Sequence, residues 1–199
     1  MMSVEALYLG ILVCAAVGGF NKRAATSLES CGVSEDALKR ELGCVCISNK
    51  PKLDVRYGRN NEFQCDKTYS KSDTSSPPTE VSFNQAEAEN TYSLLMVDPD
   101  APGHSLEKLT FFLHWAVTGI TGEDLKSGTI EGTTLMDYYG PNPPTEIHRY
   151  QLVLFSSKTG ADVHLADENR SQFSLLNFVN LNSESICSVV AVFQFQVPA

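Results

Sequence analysis

Three apolar runs most constrain the fold: Tyr92 to Val97, Phe111 to Thr118 and Tyr150 to Phe155 are rich in β-branched, aromatic and aliphatic residues, and Pro or Gly segments bound them. Such runs are strands buried in a sheet. Shorter segments, Leu53 to Tyr57 and Glu80 to Phe83, alternate apolar and polar side chains as half-buried strands do, and Val189 to Val197 again has strand-like composition. Strands do not alternate with helices in sequence, which argues against a doubly wound parallel sheet. With 199 residues, 42% of them hydrophobic and 20% charged, the chain can bury a substantial core. The expected fold class is mainly β.

Helical signals are few. Ser34 to Gly43 opens on a good N-cap, carries Glu35 and Asp36 in its first turn and Lys39 and Arg40 later, and ends on Gly. Phe173, Leu176 and Phe178 fall near helical spacing within Asn169 to Asn180, so a helix is expected there too. Asp66 to Pro78 is polar and turn-rich, but too little chain precedes it to form a core of its own.

Residues Ala6 to Gly19, ALYLGILVCAAVGG, are uncharged and mainly apolar, and Asn21-Lys22-Arg23 follows. That length suits the core of a signal peptide spanning 1–19, with cleavage before Phe20, and it has no polar face of the kind a terminal helix leaves wet. The expected organisation is a signal peptide (1–19), a cysteine-containing extension with a short helix (20–50) and one domain (51–199). Cleavage would remove Cys14 from the six cysteines and leave Cys31, Cys44, Cys46, Cys65 and Cys187. Export permits disulfides, and the odd count predicts two bridges and one unpaired thiol, with at least one bridge inside residues 31–65. Cys44-x-Cys46 lacks a second pair at zinc-finger spacing, so no metal is expected. Asn169-Arg170-Ser171 is a glycosylation sequon that a secreted route would expose to modification.

Charge narrows the partners. Fifteen Lys and Arg stand against 24 Asp and Glu, for a net charge of −9, and no basic cluster is longer than a pair such as Lys22-Arg23. A nucleic-acid backbone would be repelled at long range, so nucleic acid is not an expected partner. Beyond the N-terminus no apolar run reaches bilayer length, so no integral membrane association is expected.

Chemistry concentrates at three places. Asp98-Pro99-Asp100-Ala101-Pro102 delivers two carboxylates at a strand's end between rigid prolines; alone it reads as a tight turn with solvated side chains. His114 sits in an otherwise apolar strand, where an imidazole needs a partner, most simply a carbonyl. Gly140-Pro141-Asn142-Pro143-Pro144 leads to His148-Arg149-Tyr150 at another strand entrance.

Taken together, LLMVDPDAP, FFLHWAVTGI and YYGPNPPTEIHRYQLVLF occur in the order and approximate spacing of one family. From about Leu53 onward the chain resembles the phosphatidylethanolamine-binding proteins, which include the Raf kinase inhibitor protein and plant flowering regulators; Arg170, Phe173 and Phe178 share in the likeness. The resemblance implies a fold with a large central antiparallel sheet, a smaller second sheet and few helices, and a pocket for phosphate-like anions. By motif position, Asp98, His114, His148 and Tyr150 form that pocket, with Pro143 and Pro144 at its rim. A protonated imidazole offers two donors and titrates near about 6.5, so anion affinity is expected to rise as pH falls. The chain departs from the pattern at Lys108-Leu109-Thr110, where Arg-Glu-aromatic is usual, and at Glu146, where glycine is common. It also stops at Ala199, without the helix that often walls the pocket in animal relatives, which implies a wider opening.

The sequence has no G-x-S-x-G turn, paired metal motif or phosphate-cradling glycine loop. The expectation is therefore a secreted, non-enzymatic binding protein without a cofactor. Its partners would be a phospholipid head group or another phosphorylated small molecule, and a protein such as a kinase or protease. The alternatives are a secreted inhibitor of a protease or another protein acting through surface loops with a vestigial pocket, and a weak phospholipid hydrolase.

Overall fold

The computed structural model describes residues 31–47, 51–59 and 61–199. The expected signal peptide at 1–19, and the extension up to residue 30, lie outside the described residues. Strands β1 (Asp54–Tyr57), β2 (Asn61–Phe63) and β3 (Glu80–Ser82) make a small antiparallel sheet ordered β2-β1-β3. The large sheet is built from β4 (Thr91–Asp98), β5 (Thr110–Thr121), β6 (Thr133–Met136), β7 (Ile147–Ser157) and β9 (Ile186–Pro198), ordered β6-β5-β4-β7-β9, while the two-residue β8 (Phe173–Ser174) pairs with the start of β5. Three helices complete the order: α1 (Glu35–Gly43), α2 (Gly122–Ser127) and α3 (Leu175–Leu181).

Burial on both faces explains why the central strands read as nearly continuous apolar runs. In β4, Leu94 and Met96 join one core with Tyr57, Phe63 and Phe195, which is covered by the small sheet. Leu95 and Val97 face the other way and pack with Leu38, Leu42, Phe155 and Phe178 under α1 and α3. The α1 helix is thus part of the packing of the large sheet. Its N-cap Ser34 accepts from Ala37 N–H (3.2 Å), Leu38 and Leu42 are buried, and the buried Gln151 side chain donates to the Leu42 carbonyl (3.0 Å).

Two sequence expectations need correction. The continuous helix over Asn169 to Asn180 is broken: Asn169 caps a 3-10 turn (Arg170–Gln172), Phe173 pairs with Phe111 of β5, and only Leu175–Leu181 is α-helical. Tertiary pairing of Phe173 overrides its helical spacing. The expected unpaired thiol is absent, since Cys31–Cys187 and Cys46–Cys65 are bridged, Cys44 is also disulfide-bonded, and no cysteine among the described residues is free. The odd count rested on removal of a leader outside the described residues. The expected bridge within residues 31–65 is Cys46–Cys65. No helix among the described residues is long and apolar enough to cross a membrane.

Candidate functional site

Strand register gathers the polar residues on one face. Asp98 is the last residue of β4, and β7 extends beyond the β4 pairing, which ends at Val97 opposite Gln151. Tyr150 therefore falls level with Asp98 on the face covered by the small sheet, and His148, two residues earlier on the same face of β7, lies past the end of β4. The His148 Nδ1 donates to Asp98 Oδ2 at 2.8 Å, with both side chains buried. The other carboxylate oxygen accepts Asp100 N–H at 2.8 Å, closing the turn that Pro99 stiffens. Burial pushes the Asp98 carboxyl above its ordinary range, against the hydrogen bonds from His148 and the Asp100 amide.

His114 is presented by a bulge. Met96 pairs with Trp115 but Val97 pairs with Leu113, so His114 is the extra residue of β5. Its carbonyl accepts Tyr139 N–H (2.8 Å) and Arg170 Nη1 (3.1 Å), and its ring Nδ1 donates to the Tyr139 carbonyl (2.6 Å). The simple reading of a histidine bonded to a carbonyl is therefore correct as far as Nδ1 goes. The ring meets Tyr150 edge-on, with centroids 5.0 Å apart, and Tyr150 stacks on Phe195 at 5.5 Å. Burial lowers the His114 ring to about 4, and the nearby Arg170 and His148 charges act the same way. His114 therefore does not gain charge near neutrality, and a rise of anion affinity with falling pH does not come from this ring. The Tyr150 phenol is pushed well above its usual value, first by burial and then by the Asp98 and Asp100 charges, so it remains a hydroxyl donor.

The loop from β6 to β7 carries the two prolines; Pro143 is buried, with its carbonyl accepting Lys71 Nζ (3.3 Å), and Pro144 is exposed. Glu146 sits in the left-handed region (φ 58°) with its side chain exposed. That backbone shape accounts for glycine at this position in the family pattern, and exposure keeps the extra carboxylate in solvent.

Three features lay beyond the candidate residues read from sequence. Arg170 spans the Leu113, His114 and Asp137 carbonyls and lies 5.9 Å from the centroid of the Tyr139 ring, bracing the bulge. Tyr139 holds His114 at both ring and backbone. Behind Asp98, Asp100 clamps Arg149 through its backbone N–H (2.9 Å), Nε (2.8 Å) and Nη2 (2.6 Å). This pair borders an open cleft that Pro99, His104, Glu146, His148 and Gln196 also line.

Burial alone would raise the Asp100 carboxyl, but the Arg149 hydrogen bonds and charge outweigh it and hold the group below the ordinary carboxylate range. A depressed carboxylate adds stability above its unfolded-state value and loses it as pH falls through the folded-state value. Arg149→Ala should therefore cost about 1 kcal/mol near neutrality for this partly exposed pair, and the gap from wild type should close below about pH 4. Urea unfolding at both ends of that range checks it; an undiminished gap in acid would assign the loss to packing.

Comparison with known proteins agrees with this architecture. The sequence model of the family described as phosphatidylethanolamine-binding protein matches residues 47–186. Protein SELF-PRUNING of Solanum lycopersicum is 34% identical over 143 residues, covering 71% of this chain and 78% of the relative. The phosphatidylethanolamine-binding protein from Plasmodium vivax has the same fold, with a TM-score of 0.60 at 24% identity over 84% of this chain and 98% of its own. A carboxypeptidase Y inhibitor, solved in complex with its cognate proteinase, has a TM-score of 0.58 at 17% identity over 75% of this chain and 84% of its own. The chain belongs to the phosphatidylethanolamine-binding protein family.

Proposed function

We propose that this chain is a secreted binding and regulatory protein, not an enzyme. Its pocket, formed by Asp98, His114, His148 and Tyr150 with Pro143 and Pro144 at the rim, takes a phosphate-like group of a phospholipid head group or another phosphorylated small molecule. Occupancy of that pocket modulates a protein partner of the kinase or protease type. One observation carries the reading: both imidazoles have Nδ1 committed, one to Asp98 and one to the Tyr139 carbonyl, and neither Nε2 has a hydrogen-bond partner among the described residues. Two oriented rings beside a buried tyrosine set a few polar groups in otherwise apolar surroundings, as the polar groups of ligand sites are set. Among the described residues no serine, threonine or cysteine is hydrogen-bonded to either ring, which favours binding over nucleophilic chemistry.

The disulfides support the secreted reading. On that route Asn169 is a glycan acceptor: it is exposed, and its Oδ1 accepts the Ser171 N–H (3.1 Å) and Oγ (2.9 Å). The runner-up, a loop-borne protease inhibitor with a vestigial pocket, draws on the fold shared with the carboxypeptidase Y inhibitor and on the exposed Tyr139 and Ile147.

Calorimetric titration with inorganic phosphate and phosphoethanolamine tests the reading. His148→Ala should weaken binding by roughly 10- to 100-fold, the range for one hydrogen bond to a charged group. No saturable binding, or binding indifferent to His148→Ala, would defeat it. Partner inhibition that survives this variant would favour the loop reading.

A further inference from the structure

β9 is the outermost strand of the large sheet, so one of its edges has no strand of that sheet beyond it. Other segments cover the two ends of that edge. Gly32 N–H donates to the Ile186 carbonyl (3.0 Å) at its start. Towards its end, Asp66 N–H and Tyr69 N–H donate to the Gln194 and Gln196 carbonyls (2.7 and 2.8 Å), and Gln196 N–H donates to the Lys67 carbonyl (2.9 Å). Backbone groups alternate in direction along a paired strand, and β9 runs beside β7 without a register shift from Val192 to Gln196. Val192 therefore turns its N–H and C=O outward, as Gln194 and Gln196 do. Neither group, nor the Gln194 N–H, has a hydrogen-bond partner among the described residues.

A cavity of about 270 Å³ adjoins this stretch. Val192 lines it and packs with the core under α1; Ala191 and Phe193 line it too, yet they belong to the core under the small sheet. Alternate residues of a strand face opposite ways, so only a space beyond the strand's edge can be bordered by both sets. The walls agree: Val45, just after α1, closes one side, and Phe63 of β2 closes the other. The cavity thus lies where a further strand would lie, between the two layers that cover the sheet. None of the residues of the phosphate pocket lines it.

We propose that the β9 edge around Val192 is a strand-addition site, where an extended segment of a partner protein pairs its main chain with Val192 and Gln194. The uncovered edge from Ser188 to Phe193 spans about 17 Å at about 3.4 Å per residue, which suits a short strand. Outward N–H and C=O groups at strand spacing match a peptide backbone and give an apolar small molecule nothing to bond. The segment sets apolar side chains against Val45 and Phe63. Charge selects what flanks them. Three carboxylates, Glu41, Asp54 and Glu62, line the cavity against one ammonium, Lys52, on a chain of net charge −9. Arg40 stands 3.5 Å from Glu41, and Arg56 divides its charge between Glu62 and Glu80, while Asp54 has no ion pair among the described residues. A segment that alternates apolar and basic side chains is the occupant this slot fits.

Amide chemical-shift titrations of the whole protein with three capped pentapeptide probes test this. The probes are KVTVK, its acidic counterpart EVTVE, and KVTVK N-methylated on alternate residues in either phase. KVTVK should give saturable shifts centred on Val189 to Gln194 and Val45. One phase of N-methylation, which removes the N–H groups facing β9, should weaken it roughly tenfold. EVTVE should bind at least about threefold more weakly at low salt, and the difference should shrink as salt is added. Val192→Pro, which deletes an outward N–H on an edge strand where proline is tolerated, should also weaken KVTVK roughly tenfold. Should that variant not fold, the N-methylated probes read the same pairing on the unaltered protein. No saturable binding, shifts centred elsewhere, or full affinity in both N-methylated phases overturns the proposal. Equal affinity for EVTVE overturns the basic partner. A concentration-dependent dimer that Val192→Pro dissociates would assign the edge to a second copy of the chain and overturn the partner-protein assignment. Phosphoethanolamine binding reads a separate site, so failure of the peptide probes leaves the pocket reading standing.

Discussion

Removing the Cys31–Cys187 bridge by paired substitution, Cys31→Ala with Cys187→Ala, should lower the melting temperature by roughly 10–20 °C. This bridge spans 156 residues and ties the segment before α1 to the start of β9, whereas Cys46–Cys65 spans 19. In the chain-entropy account, a cross-link restrains the unfolded chain according to the logarithm of its loop, which gives about 5 kcal/mol for the long loop and about 3 kcal/mol for the short one. The order is a sharper check than either magnitude. Calorimetric melting of the two paired variants should show the greater loss for the long loop. Equal losses, or a larger one for Cys46→Ala with Cys65→Ala, would mean that native-state packing around the bridges dominates.

The second large effect is at the carboxylate behind His148. Asp98→Asn keeps an oxygen for the Asp100 amide but turns an N–H₂ toward His148 Nδ1, replacing an acceptor with a donor. The imidazole must then give up its Nδ1–H tautomer or leave its position. Either response disorders the ring whose Nε2 faces the ligand, and phosphate affinity should fall at least tenfold. The same change separates a buried, hydrogen-bonded pair, so urea unfolding should register a loss of roughly 1–3 kcal/mol. Affinity preserved in Asp98→Asn would show that the carboxylate does not position the ring.

The parts of this molecule legible in sequence are those whose burial leaves a local signature. β4, β5 and β7 are legible within a few residues because each is buried along most of its length, and β9 because its buried residues cluster in its C-terminal half. β2 and β6 carry no such pattern, as each buries a single residue, Phe63 or Met136. α2 shows its caps, Thr121 and Gly128, but with six residues it is too short to display a period. At the site, three motifs point to Asp98, His114, His148 and Tyr150; the structure joins His148 to Asp98 by a hydrogen bond and sets the His114 ring against Tyr150. The bulge that turns His114 is a matter of register between two strands, which neither strand's sequence contains. Tyr139 and Arg170 act through that bulge, so their roles were equally hidden, and the Asp100–Arg149 clamp depends on where two strand ends meet.

Where a phosphorylated ligand binds is read most directly from an amide chemical-shift map of the protein titrated with phosphoethanolamine. The predicted result is saturable perturbation centred on Asp98, His114, Tyr139 and His148 to Tyr150, lost in His148→Ala. Perturbation centred instead on His104 to Leu106 and Glu146 with His114 and Tyr139 unmoved, or no saturable perturbation at all, would contradict it.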